Sequence, residues 1–226
     1  RLGRRLDDLR REREEMAGLF PGVRAVLRAA GPGEALKGII GTVASQIQVP
    51  NDLERALEAA LGSHLQDVLV HRWADAERAI TFLKESQAGR VTFLPLDSLR
   101  PPQPRRPPSL PGLHGLASDL VSAQEALAPA VQLLLNRTLV VEDLATGRHA
   151  FERLQGGFQI VTRAGEIIRS TGAVTGGASR GWEKGLLARE GEWRRLPDEL
   201  KDAHKATESA RRDLERLHKE QEATLA

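Results

Sequence analysis

The sequence predicts an α/β (α+β) domain of two related helix-and-strand lobes, mounted on a coiled coil of two antiparallel helices. Three observations predict it. A seam of apolar or small residues runs unbroken down the C-terminal end, helical and strand-like patterns alternate in the middle, and that alternation stops at a proline-rich stretch and then begins again.

The 226 residues are 40% hydrophobic and 28% charged, enough for a real core in one or two domains. With five Phe, three Trp and no Tyr, that core is built from Leu, Val, Ile and Ala. The lack of cysteine excludes disulfide scaffolds, Cys-ligated zinc, iron-sulfur clusters and thiol catalysis. A net charge of +2 does not by itself announce nucleic acid. No run approaches the ~18 apolar residues of a membrane span. Arg1-Leu2-Gly3-Arg4-Arg5 lacks the apolar stretch of a signal peptide. The expectation is a soluble intracellular chain, cut in mid-pattern from something longer.

The N-terminal arm, 1–19, puts Leu2, Leu6, Leu9 and Met16 on one stripe. In the C-terminal arm, 181–226, Trp193, Leu196, Leu200, Ala203, Thr207, Ala210, Leu214 and Leu217 follow in alternating steps of three and four. So narrow a stripe suits a single facing helix, and the simplest partner is the other arm. The middle, 20–180, opens its first lobe (20–96) with a helix over 51–61 ended by Gly62. A strand in 65–70, a helix over 74–84 and a strand over 90–94 follow. Seven of the twelve prolines lie between Pro95 and Pro111, so 97–112 reads as an extended, solvated connector. The second lobe (113–180) repeats the order with a helix over 126–135, a strand over 137–141, a helix over 143–154 capped by Asp143, and a strand over 158–162. Aligned 71 residues apart, Val70 meets Val141, Ala79 meets Ala150, Ile80 meets Phe151 and Leu83 meets Leu154. Two short strands, 166–169 and 173–175, close the domain.

The most unusual segment is Thr171-Gly172-Ala173-Val174-Thr175-Gly176-Gly177. Three readings stand beside one another. It cradles a phosphate, although the chain holds no G-x-x-x-x-G-K-[ST]; it merely turns; or its glycines let another backbone approach a strand closely. The six His are scattered without metal-ligand spacing, and no Ser-His-Asp set or other catalytic constellation is suggested.

A run of segments, LKGIIGTVASQIQV (36–49), ALEAALGSHLQDVLV (56–70), AERAITFLK (76–84), GRVTFLPL (89–96), NRTLVVED (136–143), IVTRAG (160–165) and GAVTGG (172–177), resembles the hinge of bacterial structural maintenance of chromosomes (SMC) proteins. The long proline connector departs from the family's pattern. The resemblance implies a homodimerisation domain, with Gly172, Val174, Gly176 and Gly177 at the dimer contact and a closed ring that embraces DNA. It also implies weak DNA binding near the arms, for which Arg180, Lys184, Arg189, Arg194 and Arg195 are candidates beside Arg4, Arg5, Arg10 and Arg11; a surface of solvated salt bridges is the rival reading. The fragment is then no enzyme and carries no cofactor. The parent protein is expected to bind ATP and Mg at head domains, to meet kleisin-type and accessory subunits elsewhere, to avoid membranes, and to work in the cytoplasm at the nucleoid. Two further rivals are a nucleotide-binding enzyme using the glycine loop and a coiled-coil scaffold without DNA contact.

Overall fold

The computed structural model describes residues 2–31, 35–103, 107, 109–154, 157–177 and 185–225, with side chains in the last stretch to residue 217 except 215. It forms two compact units, Gly18–Gly191 and Arg1–Ala17 with Glu192–Ala226.

After α1 (Leu2–Glu14), the larger unit opens with α2 (Pro21–Arg28), where the first-turn proline gives up an N–H that has no partner in a helix. Lobe one then runs β1 (Ile39–Thr42), α3 (Val43–Gln46), a 3-10 turn at Asn51–Leu53, α4 (Glu54–Leu61), a second 3-10 turn at Gly62–Gln66, β2 (Val68–Val70), α5 (Trp73–Glu85) and β3 (Phe93–Pro95). Lobe two runs β4 (Leu113–Leu116), α6 (Ala117–Leu120), a 3-10 turn at Glu125–Leu127, α7 (Ala128–Leu135), β5 (Thr138–Val141), α8 (Leu144–Leu154), β6 (Gln159–Thr162), β7 (Ile167–Ile168) and β8 (Val174–Thr175).

The first sheet has the order β1-β2-β3, with β1 antiparallel and β3 parallel to β2. The second repeats this as β4-β5-β6 and then adds β7 and β8, each antiparallel to its neighbour. The repeat extends to irregularities. A bulge sits between Ile39 and Gly41 and another between Leu113 and Gly115, 74 residues on. The two glycines adopt φ of +143° and +139°, a region that side chains with a Cβ rarely enter.

Strand alternation explains how each sheet is covered. Val68 and Val70 bury against Ala76, Ala79 and Leu83 of α5, while Leu69 faces the other way. In lobe two Leu139 and Val141 bury beside Ala150 of α8, and Val140 faces the other way. Leu69 and Val140 meet in a core to which both lobes contribute, with Ala56, Leu57 and Leu61 from α4 and Ala130, Val131 and Leu135 from α7. Each large side chain so buried stabilises by about 1.5–3 kcal/mol, so this shared core binds the lobes into one body. At its margin Gln48 and Ser122, equivalent under the repeat, exchange backbone hydrogen bonds of 2.7 and 2.8 Å. That bridge lies on a pseudo-two-fold axis.

The described part of the proline-rich stretch is held at three points where its composition predicts a solvated tether. Leu99 packs against the shared core and Leu110 is buried in lobe two. The Asn136 amide Nδ2 donates to the Pro102 carbonyl at 2.6 Å. Isolated leucines and one buried amide hold the chain down where its prolines alone specify extension.

The C-terminal helix α9 (Leu186–Leu225) begins in the larger unit, where the Glu58 carboxylate accepts from the N–H groups of Leu186 (3.0 Å) and Leu187 (2.8 Å). In the smaller unit Leu6 and Leu9 of α1 bury with Leu196 of α9, flanked by Trp193. The Arg13 guanidinium stands 4.9 Å from the centre of the Trp193 ring, and Arg5 Nε donates to Glu192 at 2.6 Å. Arg5 holds the Glu192 carboxyl below its ordinary pKa. The apolar seam continues along α9 through Leu214 and Leu217, both exposed and with no facing helix among the described residues. Pro197 lies inside α9 and removes one rung from its backbone ladder.

Candidate self-association site

The glycine-rich segment forms the last strand of the five-stranded sheet. Gly172 N–H donates to the Arg169 carbonyl and Arg169 N–H to the Ala173 carbonyl, both at 2.8 Å, closing the turn from β7 into β8. Gly172 takes φ +89° there and Gly177 takes φ +124° after the strand. A Cβ on Gly172 would stand 3.5 Å from Phe151 Cζ, and one on Gly176 would press to 3.0 Å on Glu166 Cγ. Three of the four candidate contact residues are therefore glycine for reasons internal to the chain, two by backbone conformation and one by lack of room. Only at Gly177 is the space where a Cβ would go open.

What the segment offers outward is its edge. β7 covers one side of β8, its other side has no partner strand among the described residues, and Val174 is 59% exposed. Lobe one offers a second open edge at β3. Backbone donors and acceptors left unpaired on an edge recruit another strand unless they are covered or charged.

The basic candidates divide among places. Arg180 and Lys184 lie outside the described residues. Arg189, in the larger unit, stretches over Gly18 and bonds the Gly185 carbonyl at 3.4 Å. Arg194 and Arg195 belong to the smaller unit, where Arg195 lowers the Glu192 pKa after the larger effect of Arg5. Arg10 pairs with Asp7 at 3.7 Å and Arg11 with Asp8 at 4.0 Å. Carboxylates thus accompany these arm arginines, which dilutes their pull on phosphate.

Two carboxyls outside the sequence reading, half-buried Glu58 and buried Asp67, have raised pKa values. Burial raises the pKa of Glu58 against the opposing bonds from Leu187 and Leu186, and burial also raises that of Asp67, whose Oδ2 lies 2.7 Å from His64 Nδ1. Among the described residues no cluster of three His, Asp or Glu is placed to hold a metal ion, and no helix is long and apolar enough to cross a membrane.

Residues 36–150 match the family model described as SMC proteins Flexible Hinge Domain. The chain is 34% identical over 204 residues to the chromosome partition protein Smc of Halothermothrix orenii, covering 88% of this chain and 17% of that protein. With its counterpart in Myxococcus xanthus it is 38% identical over 198 residues, covering 87% and 16%. The chain thus spans about a sixth of the length of these relatives. A crystal structure of an asymmetric dimer of the Geobacillus stearothermophilus SMC hinge domain superposes with a TM-score of 0.81 at 30% identity, over 93% of this chain and 85% of that one. The Pyrococcus furiosus SMC hinge domain gives 0.60 at 31%, over 80% and 92%. With the family model matching just over half of the chain and relatives 34% and 38% identical along most of it, the chain belongs to the SMC hinge domain family.

Proposed function

We propose that this chain joins two copies of itself by strand addition, β8 of each extending the sheet that ends at β3 of the other, as the dimerising joint of a chromosome-partition protein. The observation that supports this most is that β8 and β3 each end their sheet with no further partner strand among the described residues, in a fold whose relative from Geobacillus stearothermophilus is described as an asymmetric dimer. A two-fold axis then uses both edges twice and leaves neither exposed. Gly172, Val174, Gly176 and Gly177 lie in or beside the added strand, the glycines shaping it and Val174 offering its side chain. The joint performs no chemistry: ATP and Mg belong to head domains of the parent protein, and kleisin-type and accessory subunits bind away from this region. The parent works at the nucleoid in the cytoplasm, closing a ring on DNA.

Sedimentation at micromolar concentration tests the reading, with the expected species at twice the 24.7 kDa of one chain. A species of 24.7 kDa under those conditions overturns it. DNA contact is a separate part of the proposal, carried by Arg189, Arg194 and Arg195 with Arg180 and Lys184. Anisotropy titrations at two salt concentrations test it, because phosphate contacts weaken steeply as salt rises.

A further inference from the structure

In lobe two, one flank of α8 is covered from within the chain. The β7–β8 turn reaches Phe151, and Ile168 of β7 approaches to 3.0 Å of the place a Cβ on Gly147 would occupy. In lobe one, α5 carries Ile80 where α8 carries Phe151, and Ala76 where α8 carries Gly147. Among the described residues no strand follows β3 in that sheet. Ile80 is left 41% exposed and Trp73, on the same flank, 58% exposed.

The orientation of α5 places that flank. Ala76, Ala79 and Leu83 point to the sheet. Arg78 and Glu85 lie on the opposite flank, beside Leu36. Trp73 N–H donates to Asp97 Oδ1 at 3.0 Å, just past the end of β3. A strand added to β3 therefore runs beneath Ile80, as β7 runs beneath the equivalent flank of α8.

We infer that Ile80, with Trp73 at its rim, forms the apolar seat for Val174 of the partner subunit when β8 adds to β3. The inference rests on the strand-addition reading and deepens it by naming the side chains that fix the register of the added strand. A second copy is the occupant because the chain itself exposes the missing piece: an edge strand whose Val174, paired with Ile168 and so on the face that α8 covers, is left 59% exposed. An added strand bonds through its backbone, which any extended peptide supplies; an apolar seat selects the segment that brings an apolar side chain to that position.

The test compares the dimer constants of the intact chain, Ile80→Asp, Ile80→Thr, Val174→Asp and Glu85→Arg by sedimentation. The Asp variants are expected to weaken association at least tenfold and Ile80→Thr several-fold, while Glu85→Arg, on the far flank, leaves it unchanged. Circular dichroism checks that each variant folds; Ile80→Thr, on an exposed helical face, keeps the question open to refutation if the Asp variants do not. The double variant Ile80→Ala with Val174→Ala is expected to lose less than the sum of the two single losses, the sign of direct contact. With Trp182 and Trp193 changed to Phe, Trp73 emission is expected to shift to the blue as the chain dimerises. An intact chain that stays monomeric overturns strand addition itself. An intact dimer whose constant is indifferent to Ile80→Thr and to Val174→Asp, with Trp73 emission independent of concentration, overturns the seat and leaves strand addition standing.

Discussion

Lobe one and lobe two are the same construction carried to different lengths. Both begin with a bulged strand at a glycine of positive φ, both lay an amphipathic helix over a wholly buried central strand, and both send alternate strand residues into one shared core. Lobe two then adds β7 and β8 and covers its own helix flank, while lobe one stops at β3 and leaves Ile80 and Trp73 bare. The difference separates two jobs that one domain must do. What the lobes share makes the body, and what differs between them is where the proposed strand addition takes place.

The largest expected effect bears on the shared part. Leu57 and Val131 occupy equivalent places in the common core, fully buried and 9% exposed respectively. Leu57→Ala is expected to cost about 2–5 kcal/mol and Val131→Ala less, since fewer atoms leave a smaller void. Chemical denaturation of both is expected to show one transition. Two separated transitions would mean that the lobes fold independently and that the core is not common property.

A finer comparison uses the bulge glycines. A Cβ on Gly41 would meet Ser45 Oγ and Gln46 Nε2 at 2.9 Å, whereas on Gly115 the nearest atom, Leu120 Cδ2, lies at 4.0 Å. Both alanine variants carry backbone strain of about 1 kcal/mol. Gly41→Ala adds a steric clash, so its melting temperature should fall further; equal losses would mean that the bulge of lobe one relaxes freely.

The smallest effect is expected at Arg163, which reaches across the lobes to Asp52 at 3.5 Å and within lobe two to Glu142 at 3.3 Å. These groups are substantially exposed, and Arg163→Met should move stability at neutral pH only to the margin of detection. The pH dependence carries more information. His114 first, and Arg163 second, lower the Glu142 pKa in the folded state. The stabilisation is present above the ordinary glutamate value of 4.5 and is lost as pH falls through the lower native value. Arg163→Met should shrink that acid loss without abolishing it, because His114 remains.

Most of the body was legible in the sequence because it obeys periodicity. The alignment of Val70 with Val141 and of Ala79 with Ala150 is the alignment of β2 with β5 and of α5 with α8. Asp143 does cap α8, its Oδ1 accepting the Thr146 N–H at 2.8 Å. β1, β4 and α2 escaped. The bulges at Gly41 and Gly115 interrupt the alternation by which a strand is recognised, and α2 is only eight residues long. The recurrence of Gly38 and Gly41 as Gly112 and Gly115 was the available signal, at a spacing of 74 rather than 71. The spacing changes because lobe one inserts the 3-10 turn Gly62–Gln66 between α4 and β2, where lobe two passes from α7 to β5 through Asn136 and Arg137 alone. At the candidate site the glycine motif announced an unusual backbone, which the positive φ of Gly172 and Gly177 bears out, but the crowding of Gly176 by Glu166 depends on the pairing of β7 with β8 and has no local signature.

Gln48 and Ser122 meet as only corresponding points of two like objects can, each giving the other what it receives. Such reciprocity is the mark of a contact between separate twins. The polypeptide therefore carries, inside a single molecule, a contact of the kind that joins two like subunits, and the shared core rather than the covalent link alone holds its halves together.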